Sequence, residues 1–473
     1  IIIGSGGPLQ LVIPASNRID NNSTTTVKVV IPSDICPHLN TSTPSINHQS
    51  ENGLEVITYQ NQATNQSVYF RCANERYVSL TLKYFLQNSN MTPIETQIAL
   101  PPDTTHQQLV FDSIDPLPLN MSIDYDGNVI ATYKLEPKEV KQIQVNARAI
   151  ITITPNLAFS LPQLDKTYLS DTPNWPTHNP DIKKIVQSLK DPQNIYGYLM
   201  KDTQYNPDSG QNNINRSGGN VITSSTKTLL ATDYPDVFIT LTRTAGIMSR
   251  LLVGLGNSSN PKLRPSTQAN NSLHAWAEYY DPVTNIWIQV DPVWEKTSST
   301  SHFPIEDLNH IVFAINGADD TTPYPAGSYQ GPKTDTPNIT LADIDPFTIP
   351  TPSIEATIFK SFTDQLGLSH PTKLNLYNHS FSGLYQQTFN LVSSGQSIST
   401  FTVNRLPPTG RVIIPIKLPD NYENLTLTNN QTVINVHTQK SNFTSPLAIA
   451  GILAVISGFI AVITRRLLVS RFQ

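Results

Sequence analysis

Alternating apolar and polar positions dominate the first third of the chain. TTTVKVVIP, SVYFRCA, YVSLTLKYFL, VIATYKL and KQIQVNARAIITITP alternate or run apolar with β-branched residues over residues 25–150. That is the period of strands with one buried face. DYDGN at 124–128 reads as a hairpin turn, with Gly127 at the position that needs positive φ. Its two aspartates leave a Ca²⁺ site as the alternative. Short strands at this spacing predict a β-sandwich over residues 1–155.

The period changes after residue 160. In NPDIKKIVQSLK, Asn179 caps a helix, Pro180 takes its first position, and Ile182, Ile185, Val186 and Leu189 form one apolar face. NIYGYLMKDTQY reads as a second helix. LLATDYPDVFITLTRTAGIMSR supplies a third, with Asp233 as its cap, Val237, Phe238 and Leu241 on one face and Gly246 as its stop. Three strands follow: SRLLVGL, HAWAEYY and, after a DPVTN turn, IWIQVD. Residues 160–320 are therefore expected to be an α+β domain. Residues 321–353 are rich in proline and turn residues and read as a stiff linker or ordered loops. From 354 to 442 the β pattern returns, predicting a second sandwich. No heptad repeat is present, so no coiled-coil stalk is expected.

Glycan acceptors, more than composition, point to a chain that stands outside the cell. Charged residues are only 14% and the net charge is −5, which excludes a basic field for nucleic acid. N-x-[ST] acceptors occur at Asn21, Asn22, Asn40, Asn65, Asn90, Asn120, Asn215, Asn257, Asn270, Asn338, Asn378, Asn424, Asn430 and Asn442, and none lies beyond. The uncharged stretch SPLAIAGILAVISGFIAVIT follows at once, predicting a transmembrane helix over residues 446–464. Arg465, Arg466 and Arg471 then mark residues 465–473 as a cytoplasmic tail. The expected topology is a single-pass protein with its N-terminal bulk exterior, in contact with the lipid bilayer. Residues 1–15 read equally as a signal remnant or a first strand. Cys36 and Cys72 are the only cysteines. In an exterior domain they are expected to form one disulfide worth roughly 3–4 kcal/mol, buried free thiols being the alternative.

Three ordered motifs carry chemistry: LTRTAGIMSRLLVGL, HAWAEYY and WIQVDPVW. Their order and spacing resemble the transglutaminase-like superfamily over about residues 165–315. That resemblance implies a nucleophilic cysteine at a helix start, a histidine base and an aspartate that orients it. Carried over, the base position is His274 and the orienting position Asp291. Counting back from Arg243 puts Ala231 where the cysteine should stand. A thiolate at a helix N-terminus gains from the dipole. Thr232, Ser224 and Ser225 offer only hydroxyls of much higher pKa, so they depend far more on a base. The resemblance thus implies a retired enzyme, with Ala231, His274 and Asp291 as vestigial positions. No cofactor-binding and no metal-binding pattern is read from the chain.

The whole layout is a multidomain, mainly β exterior: β-sandwiches flanking a central α+β transglutaminase-like domain, many glycan acceptors, low charge and a C-terminal membrane helix. It resembles the membrane-anchored small (stalk) subunit of two-component archaeal S-layers, the SlaB type of the Sulfolobales. That resemblance implies a structural cell-surface protein that ties a large lattice-forming S-layer subunit to the membrane, as a homo-trimer. Ala450, Ala454 and Gly458 form a small-residue stripe that would allow close helix contact. The alternatives are another surface adhesin or receptor, and an active transglutaminase-like peptidase.

Overall fold

In a computed structural model the described residues are 73–159, 166–206, 216–257, 273–298, 301–329, 338–360, 372–418, 422, 424–429 and 432–440, with short strands and a turn between 10 and 71. Cys36, Cys72 and the expected spanning segment 446–464 lie outside them. Among the described residues no helix is long and apolar enough to cross a membrane.

The alternation seen in the sequence folds into strands β1 (Glu75–Gln87), β2 (Ile94–Leu100), β3 (Gln107–Asp115), β4 (Asn120–Ile123), β5 (Val129–Leu135) and β6 (Val140–Thr152). Along β1 every second residue is buried, from Arg76 through Val78, Leu80, Leu82 and Tyr84 to Leu86. Each such apolar side chain contributes roughly 1.5–3 kcal/mol of burial. Strand β6 pairs with β1 on one side and β3 on the other, while β5 pairs with β4 and β2. The two sheets enclose one core.

The α+β part begins with α1 (Pro180–Val186) and α2 (Pro192–Asp202), capped by Asn179 and Asp191. Then come α3 (Asp233–Thr244), β7 (Ser249–Gly256), β8 (Leu273–Asp281), β9 (Ile286–Val290), α4 (Pro292–Ser298) and β10 (His310–Asn316). The sheet order is β9-β8-β7-β10, antiparallel throughout. Helix α3 is buried from Asp233 to Arg243, not along one face alone. Asp233 does not cap it. It is the first helical residue, and its carboxylate accepts from the backbone N–H of Leu230 and Ser217. The helix gives way to Gly246, at φ +83°.

Two features lie across the expected domain boundaries. Residues Ile339–Asp343, expected in a linker, form strand β11 and pair with Leu82–Val78 of β1. Ile339 is buried in the sandwich core, which draws the segment in. The sandwich and the α+β part also share that core, because Leu255, Leu308, Ile311 and Phe313 pack into it. Polar side chains complete the joint. Gln107 accepts from Val312 N–H and donates to Val312 C=O. Asn128 does the same for Ile315. Each amide side chain stands in for a strand neighbour, so β10 buries its free edge with its backbone satisfied. The DYDGN turn belongs to this joint as well. Gly127 sits at φ +103°, and Asp126 accepts from the N–H of Gly317 and Ala318. The turn's aspartates serve the chain's own amides, as the hairpin reading has it.

Residues from Ser353 onward, apart from 380–386 and 404–409, form a second compact unit. Its strands are β12 (Ile354–Lys360), β13 (Thr372–Asn378), β14 (Leu384–Ser393), β15 (Gln396–Leu406), β16 (Arg411–Ile416), β17 (Leu425–Thr428) and β18 (Val433–Lys440). They bond in the order β15-β14-β17-β18-β12-β13-β16. Strand β18 meets β17 through residues 433–435 and β12 through 436–440. One strand thus passes between two groups, the device that turns a sandwich corner.

Candidate functional site

Strand β8, the turn from β9 into α4, and strand β10 bring a cluster of ionisable groups together. His274 lies on β8 opposite Gly254 of β7. Asp291 ends β9 and opens α4, and its Oδ1 accepts from the N–H of Val293 and Trp294. Its Oδ2 accepts from His274 Nε2 at 2.6 Å and from His310 Nε2 at 3.1 Å. His310 in turn donates through Nδ1 to Asp307 at 2.9 Å. His302 stands 3.8 Å from the other Asp307 oxygen. The Trp294 ring lies against His274 and His310, with centroids 5.2 and 4.2 Å away.

Gly256 makes this packing possible. A Cβ there would stand 2.6 Å from the Trp294 ring and 3.2 Å from the His274 ring. Only a residue without a side chain lets β7 run beneath the stacked rings.

Burial would push the Asp291 carboxyl up, but His274 and His310 outweigh it and hold it far below the usual carboxylate range. Asp307 is lowered too, burial being overcome by His310 and His302. Burial would lower His310, yet the flanking Asp307 and Asp291 raise it to about 9. The result is a buried imidazolium between two carboxylates.

A histidine whose folded pKa lies above its unfolded value of roughly 6.5 stabilises fully below that value and loses the effect as pH rises through the folded one. The depressed carboxylates contribute above their ordinary range and lose their effect only in strong acid. Raising His310 to about 9 is worth roughly 3 kcal/mol. Unfolding free energy should therefore fall by that order between pH 6.5 and about 9.5, as denaturant titrations at each pH would read. In Asp307→Asn the fall should be much smaller; an equal fall in both proteins would show that His310 is not the source.

The sequence-derived positions divide clearly. His274 and Asp291 meet, as the motif implies. Ala231 is partly buried against the core around α3 and precedes the helix by two residues. Thr232 Oγ1 is buried and has no hydrogen-bond partner among the described residues. Ser224 Oγ accepts from Lys227 N–H. Among the glycan acceptors, Asn90, Asn120 and Asn424 are exposed. Asn378 is fully buried, and this is a correction: the fold leaves no room there for a glycan. Asn21, Asn22, Asn65, Asn215, Asn270, Asn430 and Asn442 lie outside the described residues.

Sequence reasoning missed His310, Asp307, His302 and Trp294. A signal was present in SHFPIEDLNHIVFAIN, where three titratable residues of the cluster crowd the start of an apolar strand. A polar cavity also exists, lined by Asp103, Arg250, Glu278, Tyr385 and Arg405 among others, and it does not include His274, Asp291 or His310.

This arrangement, a helix start followed by a strand-borne His and an Asp at the end of the next strand, defines a class. Residues 181–292 match the transglutaminase-like superfamily, and this part of the chain is a transglutaminase-like domain. Solved structures similar to the chain include a candidate cysteine protease from Cytophaga hutchinsonii, at 16% identity over 59% of this chain and 94% of that one, with a TM-score of 0.40. The periplasmic domain of TgpA from Pseudomonas aeruginosa is similar at 15% identity over 48% of this chain and 93% of that one, with a TM-score of 0.24. The comparison with curated proteins finds no match.

Proposed function

We propose that the chain is a non-enzymatic, structural cell-surface protein that carries its transglutaminase-like domain as a rigid module. The observation that supports this reading is the intact His274–Asp291 pair in a chain where counting back from Arg243 puts Ala231, not a cysteine, at the nucleophile's position. The chemistry of the superfamily needs a thiolate that the pair can activate, and alanine has no functional group to activate. The pair is instead absorbed into a buried ionic cluster that ties three elements together. A restored thiol tests this. In Ala231→Cys, His274 should activate the new cysteine, which should take up iodoacetamide at neutral pH at least tenfold faster than an unperturbed thiol, the unsubstituted chain serving as background. A cysteine no faster than a free thiol would mean that residue 231 is not the lost nucleophile.

The larger role we infer is that of the membrane-anchored stalk of an S-layer. It holds a large lattice-forming subunit above the cytoplasmic membrane, as a trimer, with the C-terminal tail inside the cell. Support comes from the low charge, the spread of glycan acceptors, and the apolar stretch 446–464 followed by arginines. Each contact can be weak, because lattice repetition multiplies it. Detergent extraction of envelopes is the test. The chain should be abundant and copurify with one dominant large protein, and its deletion should free the coat from the membrane. A scarce chain, or a coat still attached without it, overturns the anchor reading.

A further inference from the structure

We propose that His274, Asp291 and His310 bind one divalent transition-metal ion of the zinc class, with Asp307 orienting His310 as a ligand. The site goes beyond the reading above, because it gives the surviving base pair a present use.

The first support is convergence. His274 Nε2, His310 Nε2 and an Asp291 oxygen lie within 4.8 Å of one another, from three separate elements. Both rings aim Nε2 at the same carboxylate oxygen. An orienting aspartate needs only one histidine; here two imidazoles and one carboxylate gather at one place, the donor set of a two-histidine, one-carboxylate site. Zinc-class bonds of about 2.0–2.2 Å set ligand atoms roughly 3.3 Å apart in a tetrahedron. The two observed separations from Asp291, 2.6 and 3.1 Å, both fall short of that value, so each histidine has to move outward to admit an ion.

The second support is the surrounding shell. Metal-binding histidines almost always give their other ring N–H to a carboxylate or carbonyl. His310 Nδ1 does this with Asp307 at 2.9 Å. The non-ligating oxygen of Asp291 is fixed by two backbone N–H groups. Trp294 packs against both rings, so their orientation is set before any ion arrives. His274 keeps 11% of its side chain accessible, against 3% for His310 and none for Asp291, and marks the route of entry. A bound ion takes the place of the hydrogen bonds that now run between both Nε2 atoms and the Asp291 oxygen, while His310 keeps its Nδ1 bond to Asp307. Three protein ligands leave a fourth position for water.

The test uses the full chain, stripped with chelator and titrated with Co²⁺. A single Co²⁺ per chain should give the intense visible absorption of a tetrahedral site, and Zn²⁺ should abolish it. His274→Gln should lose the spectrum, while Asp307→Asn, which leaves every ligand in place, should weaken binding 10–100-fold. Absence of stoichiometric binding overturns the proposal. So does a Co²⁺ spectrum that persists in His274→Gln, which would place the ion elsewhere. Should His274→Gln fail to fold, Asp307→Asn decides alone: unchanged affinity sinks the site.

Discussion

Asp291→Ala is expected to cost about 3–5 kcal/mol of stability, the usual effect of removing one partner from a buried ion pair. Four hydrogen bonds end on this carboxylate, two from imidazoles and two from the first turn of α4. Without it, His310 keeps a charge in a fully buried site with Asp307 as its one close carboxylate, and α4 loses its cap. Asp291→Asn should cost less, because an amide oxygen can still accept from Val293 and Trp294 N–H. It cannot balance the imidazolium, and its NH₂ would face at least one ring N–H. Guanidinium unfolding of the three chains gives the order directly: the original chain first, then Asn, then Ala. A loss under 1 kcal/mol for Ala would mean that the cluster carries little of the fold's energy.

Much of this was legible in residue patterns, for physical reasons that also mark where legibility ends. Strand β1 could be read because its inward positions alternate without a break, and burial enforces that period. Helix α1 could be read because Asn179 and Pro180 act within one turn of each other. Strand β11 could not. It is five residues long, stands among proline-rich segments, and buries little beyond Ile339. Gln107 and Asn128 pattern as surface residues, yet they satisfy the buried edge of β10, and only the folded chain shows which edge that is. Asp233 has the residue type of a cap and sits one position too late, with Thr232 before it. At the site, His274 and Asp291 were found through a motif that fixes their spacing. His310 and Asp307 belong to no such motif. They join because β10 lies on the far side of β7 from β8, where His310 faces Gly256 and His274 faces Gly254. A ligand set assembled across a sheet leaves only a crowd of titratable residues in the sequence, here the run from His302 to His310.

Glu278→Gln should be as damaging as Asp291→Ala, about 3–5 kcal/mol, though it changes a single atom. Glu278 and Arg250 face each other directly across β8 and β7 and form a buried ion pair. Burial pulls the guanidinium pKa down, but the Glu278 carboxylate outweighs this and holds Arg250 above its ordinary value. Arg250 also donates to the Asp126 carbonyl at 3.0 Å and lies over the Trp287 ring, 4.2 Å from its centroid. It therefore links the transglutaminase-like sheet to the turn of the neighbouring sandwich. A glutamine keeps the shape and an acceptor oxygen, and leaves the cation without its paired carboxylate. Replacing both partners with apolar residues, Arg250→Met with Glu278→Leu, should recover most of the loss, because the desolvation of both charges is then avoided. Thermal and denaturant unfolding of the single and double variants close the cycle. If the double variant is no better than the single, the bond to the Asp126 carbonyl and the stacking on Trp287 carry the energy, not the pair. The motif that made the domain recognisable, HAWAE after an Arg-led strand, is on this account partly a structural signature. Its glutamate and arginine hold the sheet together.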